Sequence, residues 1–323
     1  MLQIAGLVFP LFGLILLGYI SGRLRSLPVE GLAWLNFFIV YIALPALFYR
    51  LLSQTPISEF ANAAFLLRTT FGTFIIFCLS FSMARLLRRD NVKAATIQGF
   101  AGAYGNIGYL GPPLAIAAFG PEAGVPVALI FCLDNAMHFT LAPLLMTIGG
   151  KSVTRVNAIG RWWSMVRLLS GILGKILGHP FILATIAGIA GAWFQYRPPA
   201  PIDQLLHSLS NAAAPCALFA MGVSAALRPL KRIPVELSWL LPIKLVIHPL
   251  LIHALVSRIP GIDSVWLHSA VLLAALPTAA NVFVIAQQYH VWEERASSAV
   301  VLSTSFSILS VTTYLYLTRV GYL

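Results

Sequence analysis

Long apolar stretches separated by short polar segments dominate this chain. Ten of them hold the roughly 20 mostly apolar residues that a membrane-spanning helix needs. They cover 2–21, 31–51, 60–84, 94–119, 123–147, 180–196, 205–227, 235–257, 265–289 and 296–318. The sixth and seventh are the least clean, because Pro198, Pro199 and Pro201 interrupt the chain between them. The pattern predicts an all-α integral membrane protein with ten transmembrane helices.

Composition supports this prediction. The 323 residues are 59% hydrophobic and only 10% charged, whereas a soluble domain carries roughly 25% charged residues. This chain has too few charges to cover a water-facing surface. Its three cysteines, Cys78, Cys132 and Cys216, stand in apolar runs without metal-binding spacing, so we expect them to pack. We predict neither a metal site nor a cofactor.

The basic residues between the spans indicate the orientation. Of the 21 Lys and Arg residues, 15 follow odd-numbered spans, five lie on the opposite side, and Lys244 lies inside span eight. Loops rich in Lys and Arg stay in the cytoplasm. Both termini are therefore predicted to be periplasmic, in a bacterial inner membrane. The net charge of +11 then predicts contact with anionic lipids through the basic loops, and not nucleic-acid binding.

Three prolines recur 170 positions further along the chain. Pro10, Pro28 and Pro45 correspond to Pro180, Pro198 and Pro215. Each half holds five spans, an odd number, so two similar halves must have opposite orientations. We predict a first five-helix repeat over 1–148, a basic cytoplasmic loop over 149–178 and a second repeat over 179–323. Such inverted repeats are typical of secondary transporters.

Spans four and nine are interrupted. Gly102–Pro113 contains four glycines and two adjacent prolines, and span nine carries Pro277 followed by Asn281. Proline removes a backbone donor and clashes with the preceding turn, so we expect the fourth helix to break within Gly102–Pro113. Two broken helices at corresponding places indicate a transporter's substrate site. Their free N-termini attract anions.

These residues resemble a known family. The run GNIGYLGPP over 105–113 is similar to the fourth-helix motif of the auxin efflux carrier family, and LPTAAN over 276–281 is similar to its ninth-helix motif. Ala43-Leu44-Pro45 and Ala214-Pro215 fit its kinked second and seventh helices. The resemblance covers essentially the whole chain. It implies the fold of bile-acid/sodium symporters, in which a scaffold part and a transport part meet and the broken fourth and ninth helices cross.

The resemblance also implies a site, a substrate class and a possible homodimer through the scaffold helices. The candidate substrate-binding residues belong to the two motifs and are Asn106, Gly108, Gly111, Pro112, Pro113, Pro277, Thr278 and Asn281. Bacterial members are associated with dicarboxylates such as malate or malonate. Sodium-coupled relatives place carboxylates near the crossing, but this chain has no Asp or Glu in 94–119 or 265–289. Sodium coupling is therefore not expected.

Two charged residues stand near the centres of predicted spans. Asp134 lies in span five with His138 four residues later, and Lys244 lies in span eight. A charge at mid-membrane costs about 3 kcal/mol unless it is paired or hydrated. We expect Asp134 and Lys244 to lie within reach of each other, directly or through a polar neighbour. The pair either exchanges a proton during transport, with His138, or is a purely structural ion pair.

Together these patterns predict a secondary active transporter that moves a small organic anion by alternating access, with proton linkage as an option. The alternative is a channel, or a transporter-like sensor of a small ligand. We do not predict an enzyme, because the chain contains neither an HExxH nor a GxSxG motif. It has no Walker motif for ATP use either.

Overall fold

The computed structural model describes residues 2–24, 29–150, 167, 170–174, 177–227 and 233–320. Most of the predicted 149–178 loop lies outside the described residues. The helices are α1 (Leu2–Leu24), α2 (Val29–Phe38), α3 (Leu44–Ser53), α4 (Ala63–Leu87), α5 (Val92–Ala103), α6 (Ile107–Phe119), α7 (Gly124–Ile148), α8 (Pro180–Trp193), α9 (Ala200–Leu227), α10 (Leu237–Pro242), α11 (His248–Val256), α12 (Ser264–Ala275), α13 (Ala280–Gln288) and α14 (Glu293–Val320). Regular structure in these ranges is helical throughout, as predicted, apart from one isolated β-bridge.

Six helical stretches of the described chain are long and apolar enough to cross a membrane. They are Gly31–Ser53, Ala63–Leu87, Pro121–Ile148, Ala200–Leu227, Leu237–Val256 and Glu293–Arg319. Four shorter apolar helices are Phe9–Leu24, Ile107–Phe119, Pro180–Trp193 and Ser264–Ala275. The molecule is therefore an all-helical protein with several candidate membrane spans, while the total of ten spans and their inverted arrangement stay predictions.

Two helices widen locally into π turns, each just before a proline. Ile39–Ala43 joins α2 to α3 ahead of Pro45, and Ile243–Ile247 joins α10 to α11 ahead of Pro249. Proline cannot donate the hydrogen bond of a regular turn, and a π turn is one way for a helix to absorb this loss. By contrast, α9 runs continuously through Pro215. Lys244 lies inside the second π turn.

The helices pack as two groups. We name the first the glycine-packed group; it consists of α1–α3, α8 and α9. In this group α1 contacts α9, and α3 contacts both α8 and α9. A Cβ added at Gly18 would lie 2.1 Å from the Phe219 carbonyl oxygen, and one at Gly222 would lie 1.9 Å from that of Ile15. We name the second the crossing group; it consists of α4–α7 and α10–α14. It contains both interrupted helices, α5–α6 and α12–α13. The helix N-termini that we predicted to bind anions therefore belong to one packed unit.

The two breaks of the crossing group lie against each other, and we name them together the crossing. The first is Tyr104–Asn106 and the second is Leu276–Ala279. On one side of the crossing, α6 and α12 share a hydrophobic cluster; on the other side, α5 and α13 share a second cluster. The chain thus changes from one apolar core to the other at each break.

The first break lies within the predicted range Gly102–Pro113, but not at its prolines. Pro112 and Pro113 do not interrupt the fourth span but lie inside α6, and the chain leaves the helix at Tyr104–Asn106 instead. Backbone groups released within a membrane need a protein partner or a water-filled cavity. At residues 104–106 the second break supplies that partner, which explains why the helix opens there and not at the prolines.

Candidate functional site

Backbone hydrogen bonds join the two breaks. The Asn106 N–H donates to the Pro277 carbonyl and the Ala279 N–H donates to the Tyr104 carbonyl, both at 2.8 Å. Between them, Gly105 and Thr278 form an antiparallel β-bridge. A Cβ at Gly105 would lie 3.2 Å from the Leu273 carbonyl oxygen. The missing side chain therefore allows the first break to lie close to the end of α12. The crossing is therefore a short, paired piece of extended backbone inside a helical protein.

Thr278 holds this pairing from within the protein. Its hydroxyl donates to the Ala101 carbonyl at 2.7 Å, and its N–H donates to the Ser303 hydroxyl at 3.0 Å. Its side chain is 2% exposed. These bonds connect the second break to the end of α5 and to α14. These contacts of Thr278 are made to the protein, and its role in substrate binding stays a prediction.

The two helices that begin at the crossing have N-termini without side-chain caps. Asn106 precedes α6, and its side chain does not accept a hydrogen bond from the helix. Ala279 precedes α13 and has no polar side chain with which to cap it. An Asn at this position usually does so. Here the Asn106 amide donates instead to the Met221 sulfur on α9, at 3.1 Å. The Val282 N–H in the first turn of α13 donates to the Ala279 carbonyl. The two helix N-termini otherwise lack a side-chain cap, and their positive dipole ends favour an anion.

A second asparagine is held through tyrosine. Asn281 donates to the Tyr104 hydroxyl at 3.1 Å, and that hydroxyl in turn donates to the Asn135 side-chain oxygen. The Tyr104 ring stacks on His138, with ring centroids 4.1 Å apart and planes 12° apart. The crossing is therefore connected through Tyr104 to polar side chains of α7.

Cavities flank the crossing on two sides. One of about 550 Å³ extends from Asn106 and Asn281 to Gln288 and His179. A smaller one of about 100 Å³ lies between Asn106, Asn281 and α9. The described lining of the larger cavity contains no Asp, Glu, Lys or Arg; His179 is its single side chain able to become cationic. A small anion placed there would meet amides, tyrosines and helix N-termini.

A third cavity, of about 840 Å³, shares Asn36, Ser224 and Val284 with the small one. Its wall includes Glu236, whose side chain is 2% exposed and lies 3.5 Å from Arg88 Nε and 2.5 Å from Arg295 Nη1. This triad ties the ends of α4, α10 and α14. Arg88 and Arg295 on its wall belong to the basic loops. The three shared residues therefore indicate a route from the crossing toward the side of the protein that carries these loops.

The eight predicted substrate-binding residues separate into two sets. Asn106, Gly108 and Asn281 line the 550 Å³ cavity. The other five are buried elsewhere around the crossing: Gly111, Pro112, Pro113, Pro277 and Thr278. Gly111 serves close packing, since a Cβ there would lie 3.0 Å from both Ile107 and Leu273 side-chain carbons. The three cavity residues are those with direct access to a ligand.

Asp134 and Lys244 belong to one buried polar cluster but are not directly paired. Lys244 Nζ donates to the Ala274 carbonyl at 2.9 Å and lies 3.1 Å from His248 Nδ1. The Thr73 hydroxyl lies 3.4 Å from His248 Nε2 and 3.5 Å from Asp134 Oδ2. Two polar neighbours therefore connect the acid to the lysine. Because Ala274 is in the last turn of α12, the ammonium also lies at a helix C-terminus, where cations are favoured.

His138 contacts Asp134 differently from the expected side-chain pair. Its Nδ1 lies 2.5 Å from the main-chain carbonyl of Asp134. Asp134 Oδ1 and His138 Nε2 are buried without a hydrogen-bond partner among the described protein atoms. A gap of about 10 Å³ lies beside Asp134, His248 and Thr73. The cluster thus keeps unused hydrogen-bonding capacity within the membrane-spanning part of the protein.

Sequence reasoning missed Tyr104, Met221 and Thr73. Tyr104 stands immediately before the recognised motif, so its position next to a break was an available signal. Met221 and Thr73 had no such signal, because each meets its partner across a large sequence separation, 115 residues for Asn106 and Met221. Only the packing of α4 and α9 against the crossing brings them to the site.

Apolar helices, a paired helix break and flanking cavities together define a membrane transport protein. Residues 3–315 match the family described as "Membrane transport protein", and the chain belongs to this family of auxin efflux carriers. The chain is 52% identical over 321 residues to a Rhizobium meliloti (strain 1021) protein named "Putative malonate transporter", covering 99% of this chain and 98% of that protein.

More distant relatives also match along nearly their whole length. The uncharacterized transporter YfdV of Escherichia coli (strain K12) is 25% identical over 320 residues, with 97% of each chain covered. Auxin efflux carrier component 8 of Arabidopsis thaliana is 22% identical over 358 residues, with 95% of each chain covered. The expected family is thus confirmed, and it indicates a multi-pass membrane transport protein.

Proposed function

We propose that the protein is a secondary active transporter that moves a small organic anion across the bacterial inner membrane by alternating access. The observation that carries the proposal is the pair of uncapped helix N-termini at the crossing, flanked by Asn106 and Asn281 on a cavity wall without acidic side chains. Helix dipoles and amide donors stabilise a carboxylate. An acidic side chain in the wall would repel it.

The substrate class that we infer is a dicarboxylate such as malonate or malate. The 52% identical relative carries malonate in its name, and the cavity of about 550 Å³ accommodates so small a molecule. One carboxylate would contact Asn106, Asn281 and the first turn of α6, with Gly108 allowing close approach. Gly111, Pro112, Pro113, Pro277 and Thr278 would shape this site from behind.

Alternating access follows from the proposed topology. We assign 1–148 and 179–323 as inverted five-helix repeats, with both termini periplasmic and the basic 149–178 loop cytoplasmic. The crossing group would move against the glycine-packed group, whose close helix contacts make it the more rigid partner. In this orientation the cavity route past Glu236 opens toward the cytoplasm. Anionic lipids would bind the basic loops, and a homodimer would form through the glycine-packed group.

Uptake by purified protein in liposomes tests the anion site. We expect Asn281→Ala to raise the KM for malonate by about 10- to 100-fold, because a hydrogen bond to a charged group contributes about 1.5–3 kcal/mol. Asn211→Ala is the matched control, since Asn211 is an exposed amide on α9 away from the cavities, and its KM should stay within twofold. Equal KM values for wild type and Asn281→Ala would remove the assigned site.

The same preparation separates the carrier from its alternatives. A carrier shows saturable uptake and counterflow of labelled malonate. A channel would instead give conductance above carrier turnover, and a sensor would bind malonate without flux. If wild-type protein binds and moves none of a panel of mono- and dicarboxylates, the anion proposal fails.

We further propose that Asp134, His138 and Lys244 couple transport to protons. The supporting geometry is the buried Asp134–Thr73–His248–Lys244 connection with its unpartnered Asp134 and His138 atoms. Asp134→Asn and Lys244→Met should each flatten the dependence of malonate uptake on pH and abolish uptake driven by a proton gradient. Retention of wild-type uptake and pH dependence in both variants would leave the cluster a structural one.

A further inference from the structure

Met221 makes an unusual contact with the proposed substrate site. Its sulfur accepts the hydrogen bond of the Asn106 amide at 3.1 Å, and the two side chains are 9% and 4% exposed respectively. A thioether sulfur is a weak acceptor compared with a carboxylate or amide oxygen. The amide at the head of α6 is therefore occupied, but by one of the weakest partners that a protein side chain can offer.

The backbone around Met221 is fixed, whereas its side chain is adaptable. Gly222, the next residue, lies so close to α1 that an added Cβ would meet the Ile15 carbonyl oxygen at 1.9 Å. This contact holds the α9 backbone in place beside the crossing. A methionine side chain has three rotatable bonds and repacks easily. The sulfur can therefore leave Asn106 without any movement of α9.

The contact also joins the two groups of helices. Met221 belongs to the glycine-packed group and Asn106 to the crossing group. A second polar contact between the groups follows one turn along α6, where the Tyr109 hydroxyl donates to the Asn36 side-chain oxygen at 3.2 Å. All four residues line the cavity of about 100 Å³. A ligand that takes the Asn106 amide would remove one polar tie between the groups.

We propose that Met221 is a specificity-determining residue that occupies the Asn106 amide in the empty carrier and gives it up to the substrate carboxylate. The inference rests on the anion-carrier function proposed above and adds a selection step to it. A carboxylate oxygen is a strong, charged acceptor and replaces the sulfur. A ligand without a strong acceptor does not, so the tie between the two groups remains and transport is not triggered.

Two substitutions move this competition in opposite directions. Met221→Leu keeps an apolar side chain of similar size but removes the acceptor, so malonate should bind about three- to tenfold more tightly. Met221→Gln places a stronger acceptor beside Asn106, so malonate should bind about three- to tenfold more weakly. A merely structural role would weaken binding in both variants. Melting temperatures in detergent close to that of wild type are the check that both variants remain folded.

Ser224→Ala is the matched control, because Ser224 lines the same small cavity one turn further along α9. Its malonate affinity should stay within twofold of wild type. The measurement is equilibrium binding of radiolabelled malonate to purified full-length protein. If wild type binds malonate but the Leu and Gln variants bind it equally well, or change in the same direction, the role of Met221 is refuted while the carrier function stands. If wild type binds no anion, both proposals fail.

Discussion

Thr278 illustrates how much of the site depends on single hydrogen bonds. Its hydroxyl and its N–H bind the Ala101 carbonyl and the Ser303 hydroxyl, and all of this occurs away from water. Removing one partner of a buried hydrogen bond leaves the other unsatisfied, which costs about 1–3 kcal/mol. Thr278 is thus expected to act on the stability of the crossing before it acts on substrate.

We therefore expect Thr278→Val, which keeps the shape and removes the hydroxyl, to destabilise the protein by about 1–3 kcal/mol. Thermal unfolding in detergent measures this as a lower melting temperature. The matched control is Thr313→Val, because Thr313 is exposed on α14 and should tolerate the change. Equal melting temperatures for the two variants would show that the Thr278 bond contributes little.

At the residue scale, the sequence indicated the polar residues that lie at the crossing, while their roles in substrate binding stay predictions. Asn106 and Asn281 were recognisable because an amide beside a helix break has few structural uses. Pro112 and Pro113 were expected to break the fourth span but lie within α6. Thr278 was grouped with the substrate residues because a motif shows neighbours along the chain only. The hydrogen-bond partner of its hydroxyl, the Ala101 carbonyl, is 177 residues away.

At the element scale, glycine decides how the helices of the glycine-packed group meet. Gly18 and Gly222 bring α1 and α9 into backbone contact. Gly188 brings α8 equally close to α3, because a Cβ added there would lie 2.8 Å from the Leu52 Cβ. Small residues allow such approach in membranes, where packing and not the exclusion of water associates helices. Sequence periodicity could not reveal these contacts, because glycine has no side chain to mark a polar or an apolar face.

The substitution Gly222→Ala tests this packing. A Cβ placed 1.9 Å from the Ile15 carbonyl oxygen forces α1 and α9 apart, and overpacking costs about 1–3 kcal/mol. A lower melting temperature and poorer recovery of folded protein are expected. Gly13→Ala on α1 is the control, since nothing lies within 4 Å of its added Cβ, and alanine there favours the helix. A stable Gly222→Ala protein would contradict the close contact.

At the scale of the whole molecule, the proposed function requires movement between the two groups. Cys132 on α7 and Thr185 on α8 lie across their boundary, with Sγ and Oγ1 3.0 Å apart. A cysteine in place of Thr185 would bring a second sulfur next to Cys132, as a disulfide requires. Composition predicted a helical membrane protein correctly, while the orientation inferred from the charge pattern stays a prediction. Which helices form each group emerges only from their packing.

A Thr185→Cys variant, made with Cys78→Ala and Cys216→Ala, should form a disulfide with Cys132 under oxidation. Malonate uptake should then fall at least tenfold, about 1.4 kcal/mol or more in the transport barrier, and recover on reduction. Malonate binding should persist. The same protein with Thr185 retained controls for direct effects of the oxidant. Full uptake by the oxidised protein would mean that this boundary does not move.

The crossing also constrains how the protein is made. Tyr104 and Asn106 receive their backbone partners from Ala279 and Pro277, which lie about half the chain further on. During synthesis α5 and α6 are complete long before α12 and α13 exist, so their broken ends enter the membrane without those partners. Unpaired backbone groups in lipid are costly, and water or neighbouring protein must cover them in the meantime. We therefore expect the nascent chain to complete the crossing only after Pro277 and Ala279 have been synthesised.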